Sequence, residues 1–131
     1  MSQKIALIFS LTVNLFATMF LGSALAAATF AADKEAEKTF DDKIKPLFSR
    51  HCFECHSSTA DELKGKLKLD TLADVLRGGA QGVSVKPGDP AGSLLLRAIK
   101  YEEADYQMPP RGKIPAKEVE EIEKWIKDLK P

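Results

Sequence analysis

The sequence predicts an all-α fold with long connecting loops. Apolar residues recur at helical spacing within residues 40–48 and again within residues 119–129. Glycine and proline punctuate the chain between such stretches, which predicts loops there. No internal repeat and no low-complexity tract is present in the 131 residues.

Residues 1–31 differ in character from the rest of the chain. Lys4 is their only charged side chain, and the apolar run after it ends in small residues such as Ala24-Leu25-Ala26. This order is typical of a secretory signal peptide with an Ala-x-Ala-like cleavage site. Because residues 5–21 are nearly long enough to span a bilayer, a retained N-terminal anchor is the alternative. We therefore expect an exported protein, periplasmic or otherwise extracytoplasmic.

The remaining 100 residues suffice for one small domain. The whole chain has 19 Lys and Arg and 19 Asp and Glu, and residues 1–31 hold one of the bases, so 18 basic and 19 acidic side chains remain. This balance does not favour nucleic acid as a partner, and a membrane is expected only if the N-terminal segment is retained. Small exported domains usually need disulfides, a metal or a cofactor for stability. With two cysteines, at most one internal disulfide is possible.

The first helical stretch should lead directly into the two cysteines. Residues 32–39 are mostly charged and predict a solvated lead-in, so the domain is expected to span residues 40–131. Pro46 cannot lie inside one continuous helix, because it lacks the N–H that the helix requires. We expect a kink or a restart there, with the second piece ending at Cys52 and Cys55.

The middle of the chain predicts one short helix between irregular segments. Residues 63–69 alternate apolar and basic side chains, which predicts a short extended segment. Asp70 or Thr71 is suited to cap the helix that follows, and Gly78-Gly79 should end it. The glycine-rich residues 78–88 predict a loop.

Two further helices are predicted toward the C-terminus. Asp89-Pro90 predicts a helix start, because the carboxylate can accept backbone N–H groups and proline is tolerated at the first helical position. Residues 101–113 contain Pro109-Pro110 and predict a surface loop with a stiffened turn. Pro115 should open the last helix, in which an apolar stripe faces the core.

All cysteines and histidines of the chain lie within residues 51–56. In the C-x-x-C-H motif the thiols of Cys52 and Cys55 can add to the two vinyl groups of a haem, and His56 can coordinate the iron. A zinc site would need four ligands, which such closely spaced residues cannot easily place around one ion. A thioredoxin-like pair would follow a strand, and a Cys–His nucleophile would need further helpers. The motif therefore predicts one haem c, attached covalently through both cysteines.

Met108 is the only methionine outside residues 1–31. It lies in a polar loop stiffened by two prolines rather than on an apolar helix face, so we predict that it is the second axial ligand of the iron. An occupied sixth position suits electron transfer, because the iron changes valence with little rearrangement. An open position would instead suit an enzyme or a sensor.

Several polar residues have roles that the sequence leaves open. His51 adjoins Cys52 and cannot easily reach the far face of the haem, so we expect it at the surface or near a propionate. Arg50, Arg111 and Lys113 are either propionate partners or ordinary solvated residues. The lysines of residues 63–69 form either a docking patch for a redox partner or a solvated face.

Several motifs together resemble the planctomycete-type cytochrome c domain, over about residues 40–129. They are I-x-P-L-F-x-x-H-C-F-E-C-H at 44–56, G-K-L-K-L-D-T at 65–71, L-R-G-G at 76–79, P-G-D-P-x-x-S-L-L at 87–95, Q-M-P-P at 107–110 and E-x-x-x-I-x-x-W-I at 118–126. The resemblance implies the class I cytochrome c fold, in which helices surround a covalently attached haem. It implies thioether bonds at Cys52 and Cys55 and axial ligands at His56 and Met108.

We therefore expect an extracytoplasmic mono-haem c-type cytochrome that transfers single electrons between redox partner proteins and is not an enzyme. The alternatives are a haem enzyme or a gas- or peroxide-responsive protein with a displaceable sixth ligand, and a structural haem module. The haem should be buried against six apolar side chains: Phe40, Phe48, Leu69, Leu94, Ile99 and Trp125.

Overall fold

The computed structural model describes residues 32–130 of the chain. The chain divides into two units, residues 1–35 and residues 36–131, and the second unit contains every site discussed below. The predicted signal peptide or anchor lies outside the described residues. No helix within residues 32–130 combines the length and the apolar character needed to cross a membrane.

The all-α fold class is confirmed, because residues 32–130 contain helices and no β-strand. Residues 32–39 are helical and mostly exposed. The elements that follow are a π-helical turn at Phe40–Ile44, α1 at Lys45–His51, a 3-10 turn at Lys64–Lys66, α2 at Leu72–Arg77, α3 at Leu94–Lys100 and α4 at Ala116–Asp128.

The restart predicted at Pro46 is confirmed. The backbone N–H of Lys45 bonds to the carbonyl of Phe40, five residues back, and α1 then begins with Pro46 in its first turn. A proline in this position costs no hydrogen bond, because the first N–H groups of a helix have no partner inside it. At the other end of α1, the N–H groups of Cys52 and Phe53 both donate to the carbonyl of Phe48, at 2.8 and 3.0 Å. The cysteine motif thus continues directly from α1.

The predicted cap of the short middle helix is also confirmed. Thr71 accepts a hydrogen bond from the backbone N–H of Asp74 at 3.1 Å, and Gly78 ends α2 with a φ of +77°. The extended segment predicted at residues 63–69 is wrong in its first half. Gly65 and Lys66 have φ angles of +59° and +51° and form a 3-10 turn, and extended backbone returns only after it.

The helix start predicted at Asp89-Pro90 is wrong. The Asp89 carboxylate accepts from the N–H of Gly92 at 2.9 Å and thereby closes a turn, and α3 begins only at Leu94. The reason is the buried hydroxyl of Ser93, which donates to the carbonyl of Asp89 at 2.8 Å and accepts from the N–H of Lys86 at 2.9 Å. These bonds hold the residues before Leu94 in a turn whose hydrogen bonds are incompatible with those of a helix.

An aromatic cluster fastens the first helical segments to the last helix. The ring centroids of Phe40 and Phe48 are 6.1 Å apart, those of Phe40 and Trp125 are 5.9 Å apart, and those of Phe48 and Trp125 are 6.3 Å apart. Tilted and edge-on contacts at such distances stabilise beyond the area that they bury. The predicted apolar stripe of α4 is confirmed, with Ile122 and Ile126 almost fully buried beside Trp125.

Candidate functional site

The second unit contains a cavity of about 840 Å³ between two irregular segments. One is the C-x-x-C-H turn, residues 52–56, and the other is the Met108 loop, residues 101–115. The volume falls within the range of about 300–1,000 Å³ that is usual for small-molecule and cofactor sites. Much of its wall is apolar and comes from α1, α3, α4 and the loops between them, including Leu47, Leu67, Leu95, Ala98, Ile114 and Ile122.

The apolar side chains predicted to bury the cofactor divide into two groups. Four of the six line the cavity: Phe48, Leu69, Leu94 and Ile99. The prediction is wrong for Phe40 and Trp125, which lie outside the cavity wall and pack on Phe48 in the aromatic cluster. The sequence could not distinguish the two groups, because an apolar residue that faces a cavity and one that faces the core follow the same pattern.

The C-x-x-C-H turn is wound so that its three reactive side chains line one wall of the cavity. The N–H groups of Cys55 and His56 both donate to the carbonyl of Cys52, at 3.1 and 2.9 Å. Cys52 and Cys55 are half-buried and free, with no disulfide between them. Burial raises the pKa of the Cys52 thiol to about 12, so this thiol stays protonated at neutral pH.

The ring of His56 is held in the state that a metal ligand requires. Burial lowers the pKa of His56 below its ordinary value, although the backbone carbonyls of Leu67 and Lys64 partly oppose this shift. The neutral imidazole that results has a free lone pair. Its buried Nδ1 completes no hydrogen bond of normal geometry. Since a metal-bound histidine usually donates its other N–H to a carbonyl, Leu67 and Lys64 are the groups placed to orient the ring.

A close backbone contact holds the segment behind His56 in place. The N–H of Ala80 donates to the carbonyl of Gly65 at 2.7 Å. A Cβ on Gly79 would lie 2.6 Å from that same oxygen and 2.9 Å from the Cβ of Leu67. Only glycine therefore fits at residue 79. The sequence identified Gly78-Gly79 as a helix end but gave no sign of this second role.

Met108 lines the same cavity as His56 and is half-buried. Its backbone N–H donates to the carbonyl of Ala98 in α3 at 3.1 Å. The next residue is held as well, because the hydroxyl of Tyr101 donates to the carbonyl of Pro109. The Met108 loop, predicted from its prolines, is thus fixed to α3 at Met108 and is closed on itself at Pro109.

Charged side chains line the polar part of the cavity wall. Arg111 makes two hydrogen bonds to Glu54, at 3.0 and 2.7 Å, and Arg50 bonds to Glu118 at 2.8 Å. Both arginines are therefore already paired with carboxylates. Lys113 lies with its Nζ 5.2 Å from the centre of the Tyr101 ring, in a cation–π contact.

His51 also lines the cavity, and its Nε2 lies 2.6 Å from a carboxylate oxygen of Glu118. The hydrogen bond from Arg50, and after it that from His51, keeps the pKa of Glu118 below its ordinary value. Glu118 belongs to the first turn of α4, so this cluster joins the end of α1 to the start of the last helix. Sequence reasoning missed both Glu118 and Glu54.

These features fit a covalently held haem better than a bare metal ion. Within residues 32–130 no three His, Cys, Asp or Glu side chains gather as a metal-binding group. The cavity instead combines two free thiols, a neutral imidazole and a thioether on walls that are largely apolar. The buried Nδ1 of His56, with the carbonyls of Leu67 and Lys64 beside the ring, could donate its N–H while the other ring nitrogen binds iron.

A protein-family comparison covers the C-x-x-C-H turn and most of the Met108 loop. Residues 52–112 match the family model described as Planctomycete cytochrome C. The match begins at the first cysteine of the C-x-x-C-H turn and ends four residues after Met108. No curated protein and no solved structure matches the chain.

Proposed function

We propose that this chain, which carries a planctomycete-type cytochrome c domain, is a mono-haem electron carrier that works outside the cytoplasm. The domain is that of a c-type cytochrome, in which haem c is covalently attached. The single haem, its two axial ligands and the cellular location are our proposal. The observation that carries it is that Met108 lines the same cavity as Cys52, Cys55 and His56.

Each residue of the cavity wall has a distinct part in this function. Cys52 and Cys55 would anchor the haem through thioether bonds, and His56 would bind the iron through its neutral imidazole. Bound haem supplies reversible one-electron chemistry at its iron. Met108, on the other bounding segment, would bind the iron through its sulfur. Ligation by methionine favours the ferrous state and raises the reduction potential. The apolar wall excludes water and lowers the local dielectric around these groups.

The way Met108 is held supports an electron carrier rather than an enzyme. The hydrogen bond from Met108 to Ala98 fixes this part of the loop to α3, and the bond from Tyr101 to Pro109 braces it within the loop, so no large movement is needed to bring the sulfur to the cavity. A protein that supplies both axial ligands leaves no position free for a substrate. We therefore propose that the partners are redox proteins that exchange single electrons with this domain.

The test is the near-infrared charge-transfer band that a methionine sulfur ligand gives to ferric haem. We expect this band in the native protein and its loss in Met108→Ala. Asp105→Asn, an exposed substitution on the same loop, serves as the control and should keep the band. Absence of the band in the native protein would refute methionine ligation and favour an open sixth position, as in a haem enzyme or a sensor.

Export is supported by the sequence of residues 1–31 and by the family's covalent haem. The intact mass of the protein recovered from the periplasm reports both properties at once. We expect the mass of a chain shortened near residue 31 and increased by one haem. A full-length mass in the membrane fraction would instead identify the segment as a retained anchor.

A further inference from the structure

We propose that Arg111 and Glu54 are positioning residues, which form a clasp across the mouth of the cavity and hold Met108 in place as a ligand. This inference rests on the proposed ligation by His56 and Met108. Glu54 lies between the two cysteines of the C-x-x-C-H turn, and Arg111 follows Met108 by three residues. The clasp therefore joins the two segments that carry the proposed ligands.

The geometry of the clasp is that of a paired, planar interaction. Nη1 and Nη2 of Arg111 donate to different carboxylate oxygens of Glu54, at 3.0 and 2.7 Å. Two parallel bonds of this kind fix orientation as well as distance, which a single lysine contact does not. Both residues line the cavity, and their side chains are 81% and 67% exposed, so the pair lies at the mouth rather than within the wall.

No other hydrogen bond or ion pair within residues 32–130 joins the Met108 loop to the C-x-x-C-H turn. The bonds from Met108 to Ala98 and from Glu102 to Arg97 attach the loop to α3 instead, and those from Tyr106 and Gly112 stay within the loop. Without the clasp, the loop could move away from the turn while keeping its attachment to α3.

An exposed ion pair adds little to the free energy of unfolding. The clasp can still hold Met108 without stabilising the whole domain. Displacement of Met108 requires only a local opening of the loop, whose free energy is far smaller than that of unfolding. A contact that exists only in the closed loop shifts the opening equilibrium directly. We expect its loss to increase the binding of a competing iron ligand about two- to five-fold, the factor typical of a well-formed exposed pair.

Imidazole titration of the ferric holoprotein measures this opening, because imidazole binds iron only where the methionine sulfur has left. Loss of the near-infrared methionine band is the readout. Arg111→Gln and Glu54→Gln should each raise the imidazole affinity about two- to five-fold, and the doubly reversed Glu54→Arg, Arg111→Glu protein should restore it. Arg77→Gln is the matched control, since Arg77 pairs with Asp74 within α2 and does not line the cavity.

The salt dependence of imidazole binding provides a second test of the clasp. Raising the ionic strength screens an exposed pair, so it should increase the imidazole affinity of the native protein and leave that of Arg111→Gln almost unchanged. If the band is present but neither glutamine variant nor salt alters the imidazole affinity, the clasp is refuted and the ligation stands. If the native protein lacks the band, methionine ligation is refuted and the clasp with it.

Discussion

A chain deprived of haem should not reach its native fold. The perturbation is the double substitution Cys52→Ser, Cys55→Ser, produced without a haem supply. The cavity of about 840 Å³ would then be unfilled. Haem would no longer cover the half-buried apolar side chains of the cavity wall, which include Leu67, Leu94 and Met108. Each such side chain left facing water forfeits up to about 1.5–3 kcal/mol, so the three together forfeit roughly 5–9 kcal/mol. That loss is comparable with the entire stability of a small domain, about 5–15 kcal/mol.

The assay is the dispersion of backbone amide signals in a two-dimensional NMR spectrum, with absorbance confirming that haem is absent. We expect narrow dispersion and no cooperative thermal transition. The single variant Cys55→Ser, which keeps one thioether to haem, is the matched control and should remain folded, because it loses a thiol but not the cofactor. Well-dispersed signals from the haem-free double variant would show that the walls are stable without haem, and would refute the argument from the uncovered apolar side chains.

Substitutions at two further residues test the contacts around the site. Trp125→Ala should lower the free energy of unfolding by about 3–5 kcal/mol in a denaturant titration. Trp125→Phe should cost much less, since it keeps ring contacts with Phe40 and Phe48 and removes an indole N–H that is buried without a partner; equal losses would contradict this. Glu118→Gln should cost about 0.5–1 kcal/mol at neutral pH, where the carboxylate accepts from Arg50. Because folding lowers the pKa of Glu118, its stabilisation is present above the ordinary value of 4.5 and disappears as the pH falls through the folded-state pKa. Unfolding at pH 7 and pH 3 should therefore show the two proteins converging in acid, and a gap that widens there would contradict the assignment.

The structural features that could be predicted from the sequence are those that depend on residue type and on short spacings. The restart at Pro46 and the cap at Thr71 follow from backbone chemistry within a few residues, and both are present in the fold. The C-x-x-C-H motif and Met108 stand out by their chemistry in a chain that offers few alternatives. That they border one cavity followed from the predicted axial ligation by Met108 and from the family resemblance, because spacing alone says nothing about two segments so far apart.

The residues that sequence reasoning missed have distant partners. Glu54 and Arg111 are 57 positions apart, and His51 and Glu118 are 67 apart. Neither carboxylate belongs to a pattern that distinguishes it from the other acidic residues of the chain. The error at Asp89 has a different and more local origin, since its own signal for a helix start was sound. The hydroxyl of Ser93 overrode it through bonds to backbone groups four and seven residues away.

The protonated thiol of Cys52 bears on how the protein is made. Thioether formation proceeds through a thiolate, and a pKa of about 12 leaves hardly any thiolate in the closed cavity at neutral pH. In an open chain the same thiol has an ordinary acidity and reacts readily. We therefore expect haem to be attached before the cavity closes around it, so that folding follows attachment.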